Sequence, residues 1–510
     1  MRITYAFILA FLSLLLAGCD DRRTVGGEEP DAAGAYLKLT VAVAPQSRSN
    51  PSPGEEGDGR EDGVRKENDI EDITLFIYND PGDGLDSDAA TPLLFSCHAS
   101  AADLKREADG VSCVLQLSGY TPGAAHRVIA VVNAGDIRDE VRTLGELRVR
   151  LATGAWREGK TPGACYRFMM ASAFNGAKRT DDDGKIIRLR DGASDRDNPA
   201  FAARVSVERV AARIDLMFAD SSDLGIEYVV NSTTGATLSL THALPVNRML
   251  APSYTLKHVS EGMDTSALLV CGDETTSGGV ATNYVIEPST LLKTGDVTDA
   301  MLDSWYGDSR ASRLRGNTGA FGSSAQIASL LSESMAITAP DGPETRFLTL
   351  AYANENTVTD AQAGDWRFVT GLAFRAVYRP ARIYADASCS ASVAPERGGS
   401  TFWLVRPTRQ EMREEDCLYF TTETAARAYA DAHPELLATV TGYEGGVCYY
   451  NLWIRHAGEL PGIVRNNIYC VGLSFTGPGE PLPEITIPKY VESRIFVRKW
   501  NFRPQGEILM

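Results

Sequence analysis

Positive charge and histidine are both scarce in this 510-residue chain. Fifty Lys and Arg stand against 67 Asp and Glu, a formal net charge of −17. Nucleic acid demands a basic footprint to neutralise its phosphates, so the balance argues against that partner. The six histidines, at 98, 126, 242, 258, 433 and 456, fall without metal-ligand spacing, and His456 beside Arg455 reads as a structural turn residue. The sequence has no HExxH, no GxSxG and no CxxC. Those absences remove the zinc-hydrolase helix, the nucleophile elbow, the zinc ribbon and the redox dithiol. No catalytic residue, metal or cofactor is therefore expected. Beyond the N-terminus no apolar run approaches 18 residues, and no repeat period is visible, so neither a spanning helix nor a solenoid or propeller is expected.

Two motifs that are present carry little. Residues 154–161 (GAWREGKT) fit the phosphate-loop pattern, but Pro162-Gly163 follow at once and disfavour the helix whose N-terminus would hold a phosphate. The preceding LRVRL (147–151) is no buried parallel strand. The acidic stretches 79–88 and 181–184 lack EF-hand oxygen spacing and read as solvated loops.

The informative content begins at the N-terminus. Met1-Arg2 and an apolar run over 3–16 lead into Leu16-Ala17-Gly18-Cys19, a bacterial lipobox pattern. Residues 1–18 read as a signal peptide, with Cys19 diacylated on sulfur as the mature N-terminus, and the polar stretch 19–34 as a flexible tether. Of nine cysteines, the other eight (97, 113, 165, 271, 389, 417, 448 and 470) form an even set. An exported chain permits disulfides, and Cys97 with Cys113, flanking one short polar excursion, is the best local pair; buried free thiols are an equal alternative.

Next comes a run of short strands. Residues 35–44 (AYLKLTVAVA) alternate, with Leu37, Leu39, Val41 and Val43 on one face and Lys38, Thr40 and Ala42 on the other. A long Ser-, Pro-, Gly- and charge-rich stretch, 45–68, follows; Arg48 is the only arginine close behind the strand, with Arg60 and Arg65 further on. Strands are expected at 73–78, 126–133, 167–171 and 185–190. In 205–218 (VSVERVAARIDLMF) the apolar phase shifts after Val207 to Val210, Ala212, Ile214 and Leu216, which suggests a β-bulge. Glu208, Arg209 and Arg213 there read as a partly exposed structural ion pair. Strands at 226–230 and 237–240 follow, then helical spacing at 324–336 and 422–432, the latter with Thr421 or Thr422 as N-cap. The runs 448–454 and 467–475 read as a β-hairpin, and 490–502 as a last strand in which Ile495 and Val497 alternate with Phe496, Arg498 and Trp500. Many short strands and few helices imply an all-β fold of sandwich architecture.

Four pieces in this order resemble the Bacteroidota fimbrillin (type V pilus subunit) family: the lipobox, the 35–44 strand with Arg48 behind it, ERVAARIDL at 208–216, and the RH…GIVRNNIY…GPG segment within 452–479. The resemblance implies two tandem transthyretin-like β-sandwich domains, at 35–220 and 221–510. It implies a fimbrial subunit at the outer membrane surface, structural or accessory, held by its lipid and active in adhesion to host or bacterial surfaces. An arginine-specific protease would cut between Arg48 and Ser49 (Arg60 and Arg65 are the fallbacks), removing 35–48. The displaced strand, with Leu37, Leu39, Val41 and Val43, would leave a groove for a strand of another fimbrial subunit. The C-terminal segment with Ile495, Val497, Trp500 and Ile508 is the candidate donor, or else packs into its own domain. The cysteine count departs from a plain stalk subunit and leaves anchor, tip and accessory positions open. One rival reading is a non-polymerising surface lipoprotein adhesin that binds glycan or host protein through Trp305, Tyr306 and Trp366. The other, a secreted hydrolase, lacks a nucleophile–base pattern.

Overall fold

The computed structural model describes residues 35–43, 60–62, 69–79, 91–107, 110–118, 123–143, 146–147, 156–157, 167–172, 186–188, 195–209, 211–218, 220–222, 225–246, 276–277, 280–281, 335–337, 347–354, 356–357, 370–408, 416–456, 460–463, 466–483 and 491–501. Cys19, Arg48, Ser49, Arg65, Trp305, Tyr306, Trp366 and Ile508 lie outside these residues.

The alternation of period two builds the first body of strands. These are β1 (Ala35–Val43), β3 (Ile73–Asn79), β4 (Leu93–Ala99), β5 (Lys105–Glu107), β6 (Gly110–Leu117), β7 (Ala125–Val132), β10 (Met170–Ser172), β11 (Ile186–Arg188) and β12 (Phe201–Arg209). Between them in the chain fall three short strands, β2 (Arg60–Asp62), β8 (Trp156–Arg157) and β9 (Arg167–Phe168). The main sheet runs β4-β3-β7-β10-β12-β1-β6-β5, with β11 also on β7. One core holds Leu37, Leu39 and Val41 of β1 with Leu75, Ile77, Cys97, Cys113, Val128, Ala130 and Val205. β3 and β7 are buried on both faces, because Phe76, Tyr78, Ile129 and Val131 turn to a second cluster with Ile137, Val141 and Met169. The sheet curls so that β4, at one end of the order, packs against β6 near the other. β8 pairs with β9, so the middle of the phosphate-loop lookalike is a strand.

A second body starts at β13 (Ala211–Met217), which belongs to a different sheet from β12. The phase shift in the 205–218 string is therefore not a bulge in one strand. β12 ends at Arg209 in one sheet, and β13 begins at Ala211 in another. A register irregularity does occur, further on, between Ile214 and Asp215. β13 lies between the strand Phe347–Asn354 and the strand Asn467–Phe475; the terminal strand Val491–Asn501 follows, and β2 covers its outer edge. The facing sheet contains β14 (Asp220–Ser222), β15 (Gly225–Asn231), β16 (Ala236–Val246) and the strands Gly371–Arg379 and Val447–Trp453. Ile214, Leu216, Leu238, Leu240, Phe374, Tyr450, Tyr469 and Val471 share the core between the two sheets.

Two further expectations are corrected here. The runs at 448–454 and 467–475 are not a hairpin: the first pairs with Gly371–Arg379, the second with β13 and the terminal strand. Proximity in sequence does not show which edge each strand finds. Met335–Ala336, the end of the expected helix at 324–336, is a strand on β16; the rest of that stretch lies outside the described residues. The helix Glu423–Ala432 does form, with the Thr422 side chain accepting from the Ala425 N–H. Among the described residues no helix is long and apolar enough to cross a membrane.

Candidate functional site

β1 is the first described strand of the chain, yet it sits inside the sheet. It pairs in parallel with β12, from Leu37↔Phe201 to Val43↔Val207, and antiparallel with β6, from Ala35↔Leu117 to Val41↔Val111. Leu37, Leu39 and Val41 are buried to 1%, 0% and 0% exposure, which places the expected apolar face inward. Their burial represents roughly 6 kcal/mol of transfer free energy at about 2 kcal/mol each. Lys38 is exposed on the opposite face, its Nζ 3.1 Å from Glu107 Oε1 of β5. At the other end of the slot Gly110 lets β6 approach β1 closely, since a Cβ there would stand 2.1 Å from the Val41 carbonyl oxygen. Without β1, β6 and β12 would present unpaired inner edges about 9.6 Å apart, two inter-strand spacings. That is the width of one strand.

The connection behind β1 has a fixed far end. β2 pairs in parallel with the terminal strand, Arg60↔Lys499, Glu61↔Trp500 and Asp62↔Asn501. Arg60 is therefore held in a ladder, and a protease needs an unpaired, extended backbone. The terminal strand itself pairs with its own sheet from Asn467↔Lys499 to Phe475↔Val491. Ile495, opposite Val471, is half-buried against the core, and Val497 stands opposite Tyr469.

The two strings that looked most distinctive in the sequence meet at the junction of the two bodies. Arg209, fully buried, donates from Nη1 to Asn466 Oδ1 at 3.0 Å, and the Asn466 N–H donates to the Ala211 carbonyl at 2.8 Å. Asn466 takes a φ of 55°, a left-handed conformation that asparagine tolerates better than most residues. Arg213 grips Asp215, Nε donating at 3.0 Å and Nη2 at 2.7 Å, with the side chains 4% and 1% exposed. The ion pair is thus buried rather than partly exposed, and its partner is Asp215, which the sequence reading missed. Residues two apart on a strand share a face, so the signal was present in Arg213-Ile214-Asp215. Gly477-Pro478-Gly479 closes the segment: the Tyr450 hydroxyl donates to the Gly477 carbonyl at 2.7 Å and the Tyr443 hydroxyl to that of Gly479 at 2.8 Å.

His98 bonds Thr74 Oγ1 at 2.9 Å, and His433 stacks on Tyr429 with its Nδ1 2.9 Å from the Tyr429 carbonyl oxygen. Burial and the nearby Arg375 cation hold His242 below the usual histidine range. Among the described residues no three His, Cys, Asp or Glu side chains gather to hold a metal. Cys97 and Cys113 are buried free thiols in the β1 core; Cys448 and Cys470 lie in different clusters on different sheets.

No protein-family model matches the chain, and no curated protein matches it. Solved structures do. A fimbrilin from Porphyromonas gingivalis W83 aligns over 93% of this chain and 99% of its own, at 13% identity and a TM-score of 0.33. A candidate adhesin from Bacteroides ovatus aligns over 41% of this chain and 54% of its own, at 12% identity and a TM-score of 0.17. These superpositions are too loose to carry a functional conclusion, which rests instead on β1 and the slot it fills.

Proposed function

We propose that the chain is a subunit of a cell-surface fimbria that assembles by strand exchange. It is exported as a lipoprotein, acylated at Cys19 and anchored in the outer membrane. An arginine-specific protease cuts between Arg48 and Ser49, and β1 leaves. An extended strand of the next subunit then fills the slot between β6 and β12. The supporting observation is the position of β1: a strand at the start of the described chain, central in its sheet, whose hydrogen-bond partners are all far along the sequence. Such a strand can be exchanged without rethreading the rest of the fold, and its absence leaves two unpaired edges and an open apolar core that a new strand satisfies. The terminal strand with Ile495, Val497 and Trp500, continued to Ile508, is the proposed donor; donation requires it to leave Asn467–Phe475 and β2.

Mild digestion of the folded chain with an arginine-specific protease tests the proposal, read by N-terminal sequencing and native mass. A cut after Arg48, loss of residues 35–43 and a ladder of oligomers that Arg48→Ala abolishes are expected. A cut chain that keeps β1 and stays monomeric refutes it and leaves the non-polymerising adhesin as the reading to pursue.

A further inference from the structure

We propose that Cys97 and Cys113, unbridged in this structure, are oxidised to an intramolecular disulfide that clips β6, and β5 with it, to β4, keeping the β1 slot in shape when β1 is absent. The role assigned to the bridge rests on the proposed departure of β1; its existence does not.

The strand order creates the need for it. Among the described residues of the main sheet, β6 and β5 are joined by main-chain pairing to β12 and beyond only through β1. Among the described residues, removing β1 leaves that hairpin held by side-chain packing and by the short chain segment 100–104 that joins it to β4. Much of the packing, from Val111, Leu115 and Leu117, faces the very core that β1 has just vacated. A slot one strand wide then has one wall free to drift, and an incoming strand would pay the cost of re-ordering it.

The same geometry supplies the remedy. The curl of the sheet brings β4 against β6, and both cysteines point into the shared core. Cys97 stands opposite Leu75 of β3, and Cys113 opposite Leu39 of β1. Cys113 therefore lines the slot, beside a side chain that leaves, while Cys97 sits on β4, which stays paired with β3. Cys448 and Cys470 have no such relation.

Burial pushes both thiols up to about 12, and for Cys97 the neighbouring Cys113 adds to the rise while Arg138 opposes it. Thiolate is the attacking species in thiol–disulfide exchange, so the completed core reacts slowly at neutral pH. The bond is accordingly made during folding, before β1 seals the core. One thiolate attacks a disulfide-bearing oxidant such as oxidised glutathione and forms a mixed disulfide. The second thiolate displaces the remaining glutathione. The protein loses two electrons and two protons, and the oxidant becomes two thiols.

The test uses the full chain refolded from denaturant in a glutathione redox buffer. Peptide mapping without reductant is expected to find Cys97 linked to Cys113 in the uncut protein, as a linked peptide about 2 Da lighter than its two thiol halves. Both residues recovered as free thiols, or each linked elsewhere, overturns the bridge. The second arm cuts the chain, removes β1 and follows hydrogen exchange over residues 105–117. A clip closing this short loop predicts exchange about a hundredfold slower in the bridged chain than in the same chain after reduction. Cys97→Ser/Cys113→Ser should match the reduced form, and reduction of the unmutated protein gives the same comparison if that variant folds poorly. Equal exchange with and without the bridge overturns its role. A chain that retains residues 35–43 after cutting overturns the slot reading and the role together, while the mapping of the uncut protein still decides the bridge.

Discussion

Truncating Leu39 to alanine should loosen β1 far more than truncating its neighbour Lys38. Leu39 is 0% exposed in the core between the two walls of the slot, opposite Ala203 on one side and Cys113 on the other. Leu39→Ala removes roughly three methylene equivalents, about 2.4 kcal/mol of transfer free energy, and leaves a cavity that raises the total to about 3 kcal/mol. Lys38 has its side chain 47% exposed and meets Glu107, itself 33% exposed, across 3.1 Å. A pair so open to water contributes at most a few tenths of a kcal/mol. After the loop is cut, the loss at Leu39 should appear as faster release of the 35–43 segment. An energy of 3 kcal/mol corresponds to about 150-fold, whereas Lys38→Ala should change release less than about threefold. The assay cuts each variant under identical conditions and follows the free segment by mass spectrometry over time. Equal release rates for the two variants would refute the claim that the inward face of β1 holds it in place. A similar loss of global stability before cutting in both would refute the assignment of the faces.

Two other outcomes follow from the buried groups. Asp215→Asn removes the buried carboxylate that Arg213 grips at the start of the second body, which should cost about 3–5 kcal/mol and lower the thermal midpoint of that body; an unchanged midpoint would show the pair to be dispensable. In the reduced chain Cys97 and Cys113 keep their protons to about 12, against about 9 for an ordinary cysteine. Above pH ~9 the unfolded chain sheds those protons and the folded chain does not, so stability is flat below that pH and falls as pH rises towards ~12, by about 1.4 kcal/mol per unit for each thiol. Urea midpoints measured against pH for the reduced protein should show this slope in excess of the Cys97→Ser/Cys113→Ser variant, and identical profiles would place the thiols in a wetter site.

The elements that were readable in the sequence are those whose pattern is local. β1 announces itself because one of its faces is apolar and the other is not, and the Thr422-capped helix because its cap and spacing lie within one turn. The 205–218 string was harder. Two strands in different sheets follow each other with almost no connection, and the resulting change of phase looks the same as a bulge. The runs at 448–454 and 467–475 failed for the converse reason: each is a good strand, but the first finds Gly371–Arg379 and the second β13, both far back in the chain, and spacing cannot name them. The Arg209–Asn466 bond spans the same kind of gap, so the reason for the RNN segment could not be seen until the two bodies were placed together.

The seating of β1 between β6 and β12 also decides how a joint made there would bear load. A strand at the margin of a sheet, drawn outward, peels, and its bonds break one after another. A strand bonded along both sides and drawn along its own axis is in shear, so the bonds in both ladders are strained together and none can fail alone. Traction between neighbouring molecules coupled through such a slot would be carried by the whole length of overlap, as in a lapped joint. Its toughness would then depend on how many residues stay in register, more than on the strength of any single contact.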